Sequence, residues 1–306
     1  MRLVFAGTPA AAVPSLAALA ERHDVAGVVT RVDAPLGRKK VLTPSPVAEA
    51  AAGLGLADAT IKANRLDDEV TARVAAVDAD LGVIVAYGGL VKEPLLSTPR
   101  LGWINLHFSL LPRWRGAAPV QWSIISGDVE TGASVFQLVP GLDAGDLWAT
   151  EPTPINAHET AGSLLSRLSL SGADLLVRTV ERIAAGDARP VPQTGEVTIA
   201  PKLGIDDARL DVQDDVESLY RRLRGVTPEP GAFLELDGVR IKILDAAPAR
   251  DTPRLEPGTV EAQGRQVLLG TATAPLELLV VQPAGKKPMA AADWWRGAGV
   301  ERMVAR

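Results

Sequence analysis

The chain has 306 residues, of which 47% are hydrophobic and 23% charged, with a net charge of −5. That composition excludes a disordered polymer, and the length suffices for two domains with cores of their own. With no cysteine and three widely spaced histidines, disulfides and thiolate chemistry are excluded and no metal-ligand spacing exists, so no metal is expected.

The opening "MRLVFAG" is too short for a signal peptide. No run approaches the roughly 18 apolar residues of a membrane span. A soluble, cytoplasmic protein with no membrane association is expected. The negative charge argues against non-specific nucleic-acid binding, although a local basic patch is compatible with it.

In chain order, "RLVFAG" reads as a strand ended by Gly7 and "AAVPSLAALAERH" as a helix. "VAGVVT" is a second strand and "SPVAEAAAGLG" a second helix, with Ser45 as N-cap and Pro46 in the first helical position. Then follow strand-like "IVAYG" and "WINLH", helix-like "AAPVQWSIISG", strand-like "ASVFQLV", and a long helix in "TAGSLLSRLSLSGADLLVRTVERIAAG". Continuous apolar strands alternating with helices predict an α/β domain with a mostly parallel sheet. Gly186–Gly204 is rich in Pro, Gly and polar residues and reads as an extended linker. Beyond it come a short helix, "DVESLYRRLRG", and alternating strands with Gly-containing turns, which predict a small barrel or sandwich. A helical turn at "AADWWRGAG" closes the pattern.

After the first strand, Gly7 stands alone before Thr8-Pro9, so the triple-glycine turn of a dinucleotide site is missing and hydride transfer loses its support. No phosphate-binding P-loop is present either. Gly7 and Pro9 read as a tight strand-to-helix turn.

The strand "WINLH" carries the chemistry. Side chains alternate along a strand, so Asn105 and His107 share one side and Leu106 takes the other. They emerge near the strand's C-terminal end, where open α/β sheets bind ligands. An amide donor beside an imidazole suits acyl transfer: one stabilises an oxyanion, the other accepts a proton. A carboxylate to orient the ring is expected from "VPGLDAGDL", where Asp143 lies between Gly141 and Gly145, with Asp146 as the nearby competitor. His23 and His158 read as helix-flanking, solvated residues.

"INLHFSLLPRWRGAAPVQ" together with "GLDAGDL" resembles the 10-formyltetrahydrofolate-dependent formyltransferases. The extended block with "RWRGAAP" resembles the branch of that family acting on initiator Met-tRNA. "FAGTP", "GRKKVLTPSPV", "VAYG" and "QPAGKKPM" support the same branch, so the resemblance spans nearly the whole chain. It implies a Rossmann-like catalytic domain over residues 1–183, a linker over 184–203, and a tRNA-binding barrel similar to an OB-fold over 204–306. It implies a catalytic trio of Asn105, His107 and Asp143, and a folate-binding segment of Ser109, Leu110, Leu111 and Pro112. Further implications are 10-formyltetrahydrofolate as formyl-donating cosubstrate and initiator Met-tRNA as partner. A monomer is expected.

Two basic stretches are candidate tRNA contacts. Arg38, Lys39 and Lys40 lie in a loop beside apolar Val41-Leu42, a composition that suits phosphate and base contact. The family usually carries an additional glycine within this run. In "GVRIKIL", Arg240 and Lys242 share one strand face, with Val239, Ile241 and Ile243 on the other. Glu229, in "GVTPEPGAF", replaces an aromatic that relatives often carry. Three competing readings remain: a formyltransferase for a small amine, a formyl-folate hydrolase, and a non-catalytic RNA-binding protein. The appended domain with its basic loop weighs against the first, the kind of accessory domain against the second, and the intact trio against the third.

Overall fold

The computed structural model describes residues 1–37 and 39–305. The chain forms two compact units. One comprises Met1–Pro119, Glu130–Pro154 and Leu165–Ala200; the other comprises Val120–Val129, Ile155–Leu164 and Pro201–Arg306.

The first unit begins with β1 (Arg2–Gly7), α1 (Val13–Arg22) and β2 (Asp24–Thr30). A small hairpin follows, β3 (Ala34–Leu36) and β4 (Val41–Thr43), then α2 (Pro46–Gly53). The expected cap is present: Ser45 Oγ accepts from the Ala48 amide at 3.0 Å, and Pro46 opens the helix. β5 (Thr60–Lys62), α3 (Asp68–Ala76), β6 (Leu81–Val85) and β7 (Trp103–His107) complete the parallel part of the sheet. After β8 (Arg115–Gly116) and α4 (Pro119–Ile125) come β9 (Glu130–Gln137) and β10 (Leu147–Pro154), followed by the long helix α5 (Ala161–Ala185). The seven strands run in the order β10-β9-β7-β6-β1-β2-β5. β7, β6, β1, β2 and β5 are mutually parallel, whereas β9 runs antiparallel to both of its neighbours, β7 and β10. This is the mostly parallel sheet that the alternating apolar strands predict, in the Rossmann-like form that the resemblance implies.

Physical reasons for these elements are local. β6 is buried at every residue and β1 at all but its first, as strands covered on both faces must be. Gly7 is required by space: a Cβ there would come within 2.8 Å of the Phe5 ring and 3.0 Å of the Val85 carbonyl. β7 divides as its alternation demands. Leu106 faces Gly172 of α5, whereas Trp103 packs with Val70 and Val74 of α3. Among the elements that escaped the sequence pattern are α3, β5 and β10. α3 buries only Val70 and Val74 and relies on its Asp67 cap, which accepts from the Val70 amide at 3.1 Å. β5 is three residues long, and β10 is a half-exposed strand at the sheet edge.

The stretch after α5 is hydrogen-bonded along the first unit. Val191 exchanges both backbone bonds with Leu147, at 2.8 and 2.9 Å. β11 (Ile199–Ala200) pairs in parallel with β8.

In the second unit, α6 (Val216–Gly225) buries Val216, Leu219, Tyr220 and Leu223, a helical stripe, and Asp215 caps it. The strands are β12 (Phe233–Leu236), β13 (Val239–Pro248), β14 (Thr259–Gln263), β15 (Gln266–Leu269), β16 (Leu276–Pro283), β17 (Met289–Ala290) and, after α7 (Ala291–Ala298), β18 (Arg302–Val304). Their antiparallel order is β12-β13-β16-β15-β14-β18, with β17 beside β16. A bridge from Leu236 to Ala305 joins the two ends of that order and closes a small barrel. Its interior is filled by Leu234, Ile241, Ile243, Val260, Leu278 and Val281, among others.

Candidate active site

β7 ends at His107, at the C-terminal edge of the parallel strands. Asn105 lies between Ile84 of β6 and Phe136 of β9, and His107 lies opposite Ser134. The His107 ring is buried and meets the Phe136 ring edge-on at 6.4 Å. Its Nε2 lies 2.8 Å from the Trp114 carbonyl oxygen. A carbonyl only accepts, so this bond assigns the proton to Nε2 and leaves the Nδ1 lone pair as the basic site. Burial pushes the His107 pKa below the usual imidazole value. The Asp143 carboxylate and the Trp114 carbonyl push the other way, with less effect. The ring is therefore neutral, and a base, at neutral pH.

Asp143 Oδ2 stands 3.7 Å from Nδ1. That is too long for a direct hydrogen bond, yet close enough for the carboxylate to stabilise a protonated ring. The carboxylate is fixed by the Gly116 amide, which donates to Oδ2 at 2.7 Å. Asp143 itself sits at φ 45, in the left-handed region that few non-glycine residues occupy. Asp146, the competitor, is exposed. Asn105 Oδ1 is buried and has no hydrogen-bond partner among the described residues. A buried side-chain acceptor left without a protein partner beside a buried base fits a ligand-facing group.

The formyl transferase family model matches residues 1–180, and the model for the formyl transferase C-terminal domain matches 202–299. The chain belongs to the formyl transferase family. A methionyl-tRNA formyltransferase of Clavibacter michiganensis is 62% identical over the full length of both chains. Among solved structures, a HypX variant from Aquifex aeolicus has a TM-score of 0.69 at 18% identity, over 97% of this chain and 47% of that one; the chain spans about half of HypX. An N-formyltransferase from Helicobacter canadensis, solved with folinic acid and dTDP-3-aminofucose, has a TM-score of 0.68 at 18% identity, over 92% and 98%. Those two likenesses concern the fold.

In this formyl transferase the turn after β7 is built from within. Ser109 is fully buried and its Oγ donates to the Arg113 carbonyl at 2.6 Å. Ser134 Oγ donates to the Ser109 carbonyl at 2.7 Å and accepts from the Leu111 amide at 3.1 Å. Leu111 and Pro112 are buried and Leu110 is half-buried. Ser109 thus shapes the segment through its hydroxyl and its carbonyl, and Leu110 is the more accessible side chain.

Several neighbours of the trio were invisible to sequence reasoning. Ser134 looks like any small residue in an apolar strand. The "RWRG" run reads in sequence as a scaffold turn leading into the next helix, with nucleic-acid contact the lesser reading; what the sequence does not show is that its backbone bonds to His107 and Asp143. Trp114 is buried at φ 61 with the Arg113 guanidinium 5.1 Å from its ring centroid, and its carbonyl faces His107. Gly116 sits at φ 122, where a Cβ would fall 2.7 Å from the Ala200 carbonyl. Gln193 and Thr198, in the stretch read as a linker, bond to the same loops.

The basic candidates fall in both units. Lys39 and Lys40 are exposed at the tip of the β3–β4 hairpin, whose Leu36, Val41 and Leu42 are also exposed. Arg38 lies outside the described residues. Arg240 stacks over the Phe233 ring at 3.6 Å, with Nε and Nη2 buried and unpartnered among the described residues; Lys242 is exposed. Arg224, on α6, is buried against Tyr220 and donates to the Glu159 carbonyl at 3.0 Å, a structural use of its charge. Among the described residues no helix is long and apolar enough to cross a membrane, and no cluster of side chains suits a metal ion.

Proposed function

We propose that this chain transfers the formyl group of 10-formyltetrahydrofolate to the α-amine of methionine on initiator Met-tRNA. The observation that carries the reading is the 62% identity, over the full length of both chains, to a protein named methionyl-tRNA formyltransferase. The arrangement of the trio supports it.

In the proposed reaction the methionyl nitrogen attacks the formyl carbon. Asn105 donates a hydrogen bond to the oxygen as it becomes an oxyanion. His107 takes the amine proton at Nδ1, directly or through a water, and Asp143 stabilises the imidazolium so formed. The bond from carbon to N10 then breaks, and the same proton passes to N10. The new amide and tetrahydrofolate are the products, and no metal takes part. Ser109, Leu110, Leu111 and Pro112 form the proposed folate-binding turn. Arg38, the hairpin residues Lys39 and Lys40, and Arg240 and Lys242 on β13 are the proposed tRNA contacts. The catalytic role belongs to residues 1–183, the joining role to 184–203 and tRNA binding to 204–306. The working protein is a cytoplasmic monomer without membrane association.

The test is direct. Purified protein receives 10-formyltetrahydrofolate with Met-charged initiator tRNA, with small amines, or alone. Formyl-Met-tRNA is the expected product. Formylation confined to a small amine, or formate release without tRNA, would overturn the reading.

A further inference from the structure

Past the end of α5, the stretch joining the two matched family models carries little regular structure beyond the two-residue strand β11, yet its side chains bond to both loops of the site. Gln193 Nε2 donates to the Asp143 and Gly145 carbonyls, each at 2.8 Å. Its Oε1 accepts from Arg115 Nε at 3.1 Å and Nη2 at 2.7 Å. One amide therefore uses both donors on the loop that carries Asp143 and its acceptor on the strand that follows Trp114. The next residue after Arg115, Gly116, donates to the Asp143 carboxylate. Five residues on from Gln193, Thr198 Oγ1 accepts from the Trp114 amide at 2.8 Å, and the Trp114 carbonyl binds His107 Nε2.

We infer that Gln193 is a positioning residue for formyl transfer: it holds the Asp143 loop against β8 and so sets the separation between the Asp143 carboxylate and Nδ1 of His107. The inference rests on His107 being the base of the proposed reaction. The joining segment is then part of the active site. Asp143 occupies a left-handed backbone conformation that its surroundings must enforce, and Gln193 supplies two of the hydrogen bonds that enforce it. A carboxylate that drifts by about 1 Å loses much of its stabilisation of an imidazolium that forms only during reaction, and such shifts cost up to about a hundredfold in rate.

Gln193→Met keeps the length of the side chain and removes both donors and the acceptor. The expected result is a kcat lowered about tenfold to a hundredfold, with KM for the formyl donor unchanged. A second readout needs no turnover. The chain has three histidines, so their imidazole C–H signals can be followed by NMR as pH is varied. Asp143 is the charged group acting on His107 and raises its pKa. The His107 midpoint should therefore fall in Gln193→Met, as it should in Asp143→Asn. A merely structural role would lower thermal stability and leave that midpoint in place, and this result overturns the inference, as does an unchanged kcat. If Gln193→Met fails to fold, Gln193→Glu keeps the acceptor for Arg115 and loses both donors. Reduced kcat at unchanged donor KM then supports the inference, and wild-type kcat overturns it. Should the wild-type protein fail to formylate Met-tRNA, the substrate reading falls, while the histidine titration still decides the role of Gln193.

Discussion

His107 is a buried base whose usefulness depends on what surrounds it. Removing the imidazole while keeping the bond to Trp114 isolates the base: in His107→Gln the amide nitrogen takes the place of Nε2. General-base catalysis contributes about 10²–10⁴ in rate, so kcat should fall by that much with little change in the fold. Asn105→Ala removes the proposed oxyanion donor and should lower kcat about 10²–10³-fold, read in single-turnover assays. The sign of the pH dependence follows from burial. In the proposed reaction the neutral ring is the active form, and its pKa is depressed, so the acid limb of kcat/KM should lie below the ordinary histidine value of about 6.5. Folding stability follows the same direction. The unfolded chain takes up the proton first as pH falls, so this contribution is fully present above about 6.5 and is lost as pH drops through the depressed folded value. A pH–rate profile and urea titrations at several pH values check both.

At the scale of elements, much of the chain was legible. Apolar runs located β1, β2, β6, β7 and β9, the Ser45-Pro46 pair located the start of α2, and period-two alternation exposed Asn105 and His107 as a pair. The resemblance then selected Asp143. What stayed hidden was hydrogen bonding between distant segments. Nothing in "PVPQTGEVTIA" announces that Gln193 reaches Asp143 or that Ile199–Ala200 pairs with Arg115–Gly116; proline and glycine content reports a lack of regular structure, not a lack of contacts. Ser134 was hidden for the same reason, since its partners lie 23 and 25 residues earlier. Its role is testable. Ser134→Ala leaves the Leu111 amide without its buried acceptor, which costs about 1–3 kcal/mol. Thermal unfolding should show the loss of stability, and KM for the formyl donor should rise more than KM for the tRNA.

For the whole molecule, a net charge of −5 means that any tRNA affinity must come from local cations. On the β3–β4 hairpin the charges of Lys39 and Lys40 sit beside exposed Leu36, Val41 and Leu42, a combination suited to phosphates with bases alongside. Lys39→Glu with Lys40→Glu should raise KM for Met-tRNA at least about tenfold at low salt, with the gap narrowing as salt screens the charges. KM for the formyl donor should not move. The most direct measurement for the molecule as a whole compares the wild-type protein with His107→Gln in the presence of 10-formyltetrahydrofolate and Met-charged initiator tRNA, scored as formyl-Met-tRNA formed per enzyme. The expected result is rapid formylation by the wild type and a loss of at least about a hundredfold in the variant. Equal rates for the two proteins, or no formyl-Met-tRNA from the wild type, would contradict it.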